Sequence, residues 1–244
     1  MKKVYLQCLL LVVVYAIGCS SDDGSQSGSG SKTETGSQAK PAADAGIIAV
    51  ADMAKWQFLG IGDVGVDETE KAVRLSEGAD SKGVTIVSPI SYGPYVTVSF
   101  KVKPLTYESV NVVMLSASDS ETGDGIKIPA DYDGNFGFWT QGNVQNYVFA
   151  FHNAAHDRTP FIVKSPGMTA IAEAQKNVAG ERWHDVEIAR HGSHLIMKID
   201  GTTVVEGTDT GSVELPGGNV CFRMRGTPGN PAAALFKDVV ITEH

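Results

Sequence analysis

The chain has 244 residues, 42% of them hydrophobic and 20% charged, and a formal net charge of −8. So acidic a chain lacks the basic face that nucleic acid requires, and that class of partner is set aside. Of its three cysteines, Cys8 and Cys19 have the fates described next and Cys221 is left alone, which excludes a disulfide framework. Stability must come from the core that about 200 residues can build.

The chain opens on Met1, Lys2 and Lys3, a small cationic start, followed by an apolar run from Val4 to Ile17 and then Gly18 and Cys19. This is the pattern of a secretion signal, and the run is shorter than the roughly 20 residues that span a bilayer as a helix. Ala16-Ile17-Gly18-Cys19 resembles the bacterial lipobox, with Ala16 where Leu is usual. The resemblance implies cleavage before Cys19 and lipid on it; an ordinary cleaved signal that ends near a cysteine is the plainer alternative. Loss of Lys2 and Lys3 takes the charge from −8 to −8 − 2 = −10.

Ser20 to about Gly46 is Ser, Gly, Asp, Lys, Thr and Ala with almost no large apolar residue. Such a stretch cannot offset its chain entropy by burial and is expected to act as a disordered tether. Cys19-Ser20-Ser21-Asp22-Asp23 also resembles the acidic export signal of some bacterial surface lipoproteins. The expected organisation is a signal peptide over 1–18, lipidated Cys19 and tether over 19–46, and one domain over 47–244. It implies a lipid-anchored place in the cell envelope, at the outer membrane and facing outward, with the membrane a partner through the anchor.

From Ile47 onward the texture changes. Residues 72–76, 84–87, 95–102, 109–115, 135–139, 147–151, 183–188, 194–199, 203–205, 219–225 and 234–241 are short and rich in β-branched and aromatic side chains. Gly, Asn, Asp or Pro stands between most of them, which predicts an all-β antiparallel sandwich of the jelly-roll kind. Residues 169–178 alone have helical composition, so at most one short helix is expected. Arg190-His191-Gly192-Ser193 and Asp200-Gly201 read as hairpin turns, making 183–205 a three-stranded meander.

Residues 183–201, in which Trp183 opens a strand, a Gly turn follows and Asp200-Gly201 closes the next strand, resemble the late meander of concanavalin A-like lectin/glucanase domains. Residues 236–241 resemble that group's final strand, which pairs beside the N-terminal strand. More narrowly, residues 151–153, Arg158-Thr159, 164–167, Gly217-Gly218 and Phe222-Arg223 resemble uncharacterised bacterial jelly-roll families found near pectin and rhamnogalacturonan degradation genes. The resemblance implies the fold across roughly 72–244 and a carbohydrate partner. It does not select among lectin, hydrolase, lyase and structural module.

Side chains alternate faces along a strand, so Val220, Phe222 and Met224 should point inward and Cys221, Arg223 and Arg225 outward. Two guanidinium groups about 7 Å apart on one face form a receptor for carboxylate or sulfate, or else a solvated face paired to local acids. Residues 147–164 concentrate His152, Asn153, His156, Asp157, Arg158 and Lys164. His152 and Lys164, or else a Tyr, are the candidate proton-removing groups; Asn153, Arg158, Arg223 and Arg225 are candidate substrate binders. Trp139 and Gln141 alternate together on a predicted strand, with Trp139 either a platform for a sugar ring or core; Trp183 is assigned to packing.

Ordinary glycoside hydrolysis needs two placed carboxylates, and Asp185-Val186-Glu187 is only a fragment of the glucanase acid strand. No nucleophile elbow, phosphate loop or zinc helix occurs. Asp131-Tyr132-Asp133-Gly134-Asn135 is part of a calcium loop or simply turn chemistry, so no cofactor is called beyond a structural calcium, with Asp238 a partner only if the fold brings it near. The expected function is a lipid-anchored domain that binds or processes an acidic polysaccharide. If it is an enzyme, a lyase fits better than a hydrolase, with Arg or Asn neutralising the uronate. The alternative is a non-catalytic envelope lipoprotein that holds another protein.

Overall fold

A computed structural model describes residues 46–107, 109–152, 159–176 and 180–244. Cys19 and its tether, and Asn153, His156 and Arg158, lie outside the described residues.

The elements in chain order are α1 (Val50–Met53), β1 (Gln57–Gly60), β2 (Gly62–Asp67), β3 (Ala72–Glu77), β4 (Val84–Tyr92), β5 (Tyr95–Pro104) and β6 (Val110–Asp119). Then follow α2 (Gly137–Thr140), β7 (Val144–Phe151), β8 (Phe161–Ser165), β9 (Thr169–Glu173), β10 (His184–His191), β11 (His194–Ile199), β12 (Thr202–Thr208), β13 (Gly218–Arg225) and β14 (Ala233–Glu243). They form two seven-stranded sheets, in the orders β1-β4-β13-β6-β7-β8-β9 and β12-β11-β10-β5-β14-β3-β2. Every strand pairing among the described residues is antiparallel, so the expected jelly-roll sandwich is the observed fold.

The core between the sheets holds Phe100, Phe222 and Phe236, with Phe100 and Phe222 edge to face at 5.0 Å. Val220, Phe222 and Met224 of β13 point into it, as the alternation requires. The 183–205 meander is β10, β11 and β12; Asp200 and Gly201 turn it with positive φ at both positions (51° and 77°), the signature of the hairpin turn expected there.

Three expectations need correction. Residues 169–173 form strand β9 on the edge of the first sheet, because pairing with β8 overrides a merely helical composition. Residues 135–139 are not a strand: α2 turns there, and aromatic side chains fix it through packing rather than through a ladder. The last strand, β14, pairs with β5 and β3, whereas the first strand, β1, belongs to the other sheet.

The feature that positions the functional residues is the outer face of the first sheet. Its outward side chains, among them Val112, Met114, Val148 and Cys221, are buried, and they form a second apolar cluster with Trp139, Tyr132, Phe136 and Phe138. The 24 residues between β6 and β7 therefore cross that face and close it. Strand β6, buried at nine of ten positions, is covered on both sides.

Candidate functional site

Arg223 and Arg225 do leave β13 on the face opposite Phe222, but they meet different surroundings. Arg223 lies under the excursion between β6 and β7 and is 1% exposed. Its guanidinium donates to the carbonyls of Lys82 and Gly134 at 2.8 Å each and approaches the hydroxyls of Thr85 and Tyr132 at 3.4 Å. Its carbon stands 4.8 Å from the centre of the Phe136 ring. Burial pulls its pKa below the usual arginine range while Tyr132 opposes the shift, and it has no carboxylate among these partners.

Two glycines make this nest. A Cβ on Gly83 would stand 2.2 Å from the guanidinium, and one on Gly134 would stand 1.9 Å from the Gly83 carbonyl; both have positive φ, 123° and 92°. Arg223 is thus a clamp that holds the excursion to β4 and β13, and in this arrangement it cannot meet a ligand. That corrects its expected role as a substrate binder.

Arg225, two residues on, is half-buried, and no hydrogen bond or ion pair engages its guanidinium among the described residues. It lines a groove of about 670 Å³ walled by the 77–82 connection on one side and the 226–231 connection on the other. Glu77 fixes this architecture, accepting the backbone amides of Gly226 (2.5 Å) and Ala232 (2.9 Å) on one carboxylate oxygen. Lys82 on the rim is spent on Asp133 at 2.6 Å. Among the described residues, Arg225 is the open cation of the groove.

The other expected residues do not converge on it. Trp139 is fully buried in α2 and donates its indole N–H to the Tyr132 hydroxyl at 2.7 Å, so it has no ring face for a sugar. Gln141 is exposed just after the helix and does not share a strand face with it. His152 stands in the same row of the first sheet as Arg225, since Arg225 pairs with Val110 and Asn111 with Phe151. Two strand spacings, about 10 Å, separate the two backbones.

His152 is 3% exposed, with Nδ1 against the Ser109 carbonyl and Nε2 buried without a hydrogen-bond partner among the described residues. Burial holds its pKa below the ordinary histidine value, the Ser109 carbonyl opposing. Lys164 pairs across the sheet with Tyr147, five residues before His152 along β7, or roughly 16 Å away. The two expected proton-removing groups therefore cannot act on one carbon.

Lys164 instead belongs to a cluster that sequence reasoning missed. Asp209, after β12, accepts from the Lys164 ammonium and the Tyr147 hydroxyl, both at 2.7 Å, and from the Gly211 amide at 2.9 Å. Burial works to raise the Asp209 pKa, but these donors together hold it below the usual carboxylate range. Arg190, fully buried, lies 5.0 Å from the Tyr147 ring centre and donates to the carbonyls of Gly192 (2.9 Å), Pro216 (2.8 Å) and Leu215 and to the Ser116 hydroxyl. One signal was available: Arg190 falls in step with the inward Val186 and Ile188.

The calcium fragment is turn chemistry here. Asp133 accepts from Lys82 and from the Asn135 amide (3.0 Å), and Asn135 accepts from the Gly137 amide (2.8 Å). Asp238 lies on the other sheet, near Lys101, and the described residues contain no group of three metal-ligating side chains. Trp183 is half-buried at the surface of the second sheet, its ring under the Lys237 ammonium at 4.0 Å.

No family model matches the chain, and no curated protein does. Among solved structures, it is similar to a Bacillus subtilis protein of unknown function with a galectin-like fold: TM-score 0.69, 15% identity, covering 83% of this chain and 98% of that one. It is also similar to the carbohydrate-binding module CBM66 from Bacillus subtilis, with TM-score 0.54 and 15% identity over 79% and 98% of the two chains. A third likeness is to the Bacillus licheniformis β-glucanase, at 0.50 and 13% over 83% and 91%. At these identities the likeness is one of architecture, and the chain has the concanavalin A-like jelly-roll fold.

Proposed function

We propose that this protein is a lipid-anchored glycan-binding module of the cell envelope and that the groove beside Arg225 receives an acidic sugar. The single observation that carries the reading is a half-buried guanidinium, without a hydrogen-bond or ion-pair partner among the described residues, on the wall of a groove of about 670 Å³. Arg presents a planar fork that fits a carboxylate with two parallel hydrogen bonds. The carbohydrate-binding module among the structural likenesses supports the choice of ligand class.

Binding is favoured over bond cleavage. A β-eliminating lyase needs a base within reach of the carbon beside the carboxylate; of the groups expected to supply one, His152 is buried against a carbonyl and Lys164 is committed to Asp209. The anchor at Cys19 and the envelope address belong to the same proposal and rest on the N-terminal sequence.

Titration of the full-length chain with polygalacturonate tests the reading. Arg225→Ala should weaken binding about tenfold, the worth of one charge-assisted contact, with no unsaturated product absorbance on long incubation. Retention of full affinity by the variant would remove the site. A stoichiometric envelope protein recovered with no glycan bound would favour a scaffold instead.

A further inference from the structure

A second groove, of about 690 Å³, opens where β12 of the second sheet packs against β8 and β9 of the first. Its floor is the Lys164–Asp209 pair, whose side chains are only 18% and 6% exposed. Such burial costs desolvation energy that the pair alone does not clearly return. Lys164 spends two of its three ammonium protons, on Asp209 and on the Val213 carbonyl, and keeps the third.

The rim carries Thr169, Thr208, Thr210 and Ser212, all exposed, with hydroxyls that make no hydrogen bond among the described residues. Ile171 and Val213 add apolar surface, and Val213 is 67% exposed. Hydroxyls around a fixed donor–acceptor pair, beside an apolar wall, match the alternating polar edges and C–H faces of a sugar.

We infer that this groove binds a neutral saccharide, with the Lys164 ammonium donating to one ligand hydroxyl and Asp209 accepting from another. The charge logic differs from that of the Arg225 groove. Here the cation is already neutralised by Asp209. An uncharged polyol makes no demand on that charge. Tyr147 and Arg190 act as positioning residues: the first fixes the Asp209 carboxylate, and the second holds the connection that carries it.

The test uses the full-length chain in detergent and three neutral probes, the β-1,4-linked hexasaccharides of glucose, xylose and mannose, measured by calorimetry. At least one probe should bind, and Lys164→Met should weaken it about tenfold through loss of the charge-assisted donor. Thr210→Arg, at an exposed position, should block the groove while the chain stays folded, and Arg225→Ala should change the affinity less than about twofold.

Binding of no neutral probe would overturn the inference, as would loss of binding in Arg225→Ala or full retention in Thr210→Arg. The two proposals fail separately. Polygalacturonate affinity that is absent while neutral binding remains sensitive to Thr210→Arg would sink the Arg225 reading and leave this one standing.

Discussion

β5 and β6 follow one another in the chain and lie in opposite sheets, and each shows the condition of its own sheet. In β5 the inward Val96, Val98, Phe100 and Val102 are buried and Thr97, Ser99, Lys101 and Lys103 are half-exposed, a plain two-residue alternation. In β6 nine of ten positions are buried. One face of the second sheet remains in water with its charges paired on the surface, while the first sheet is closed on its inner side by the second and on its outer side by the excursion that Arg223 and Trp139 hold down. A charge added at the outward face of a strand thus means different things on the two sheets.

Substitutions can break this contrast, and the largest effect is expected at Trp139. Trp139→Ala empties the centre of the outer cluster and should cost about 3–5 kcal/mol in chemical denaturation. Arg223→Met strips the donors from two buried carbonyls and should cost about 3 kcal/mol. Arg225→Met, two residues away, should stay within about 0.5 kcal/mol. Equal costs for the two arginines would mean that the excursion does not close over the sheet.

An intermediate, pH-dependent effect is expected from His152. Its folded pKa lies below the unfolded value of 6.5, so the unfolded chain takes up a proton first as pH falls. The stability contributed by neutral, buried His152 is complete above about pH 6.5 and drains away as pH falls toward the folded pKa. Unfolding midpoints for His152→Gln should accordingly change less between pH 7 and pH 5 than those of the parent.

Asp209 also has a lowered pKa, so its contribution is present above the unfolded carboxylate value and is lost as pH falls through the folded one. Asp209→Asn should flatten only that more acid limb. A small change is also expected on the open sheet. Lys101→Met breaks the ion pair with Asp185 on a solvated face and should shift stability by less than about 1 kcal/mol.

The fold was legible because its signals are local. Asp200-Gly201 marks a turn wherever it stands, and the alternation of 220–225 placed Phe222 inside without any knowledge of the partner strand. The same alternation put Arg223 and Arg225 on one face but carried no information about what would cover that face.

The clue lay elsewhere, in the unbroken apolar run Val112-Val113-Met114-Leu115, which a strand with one wet face would not tolerate. The Asp209 cluster left no such trace. Asp209 and Tyr147 are 62 positions apart, and only the meeting of two sheets brings the phenol, the ammonium and the carboxylate together. Residues 169–173 misled for a related reason: alanine-rich composition favours a helix in isolation, and a neighbouring strand edge decided otherwise.

The covered face also limits how this domain can be engineered. Paring a jelly roll down to its strands by joining Asp119 to Val144 through a tight turn is an obvious route to a compact fusion partner. Here it would strip the roof from Val112, Met114, Val148 and Cys221 and leave a sticky panel that invites self-association. A miniature of this protein must either keep its long detour or have the strands beneath repainted with polar side chains.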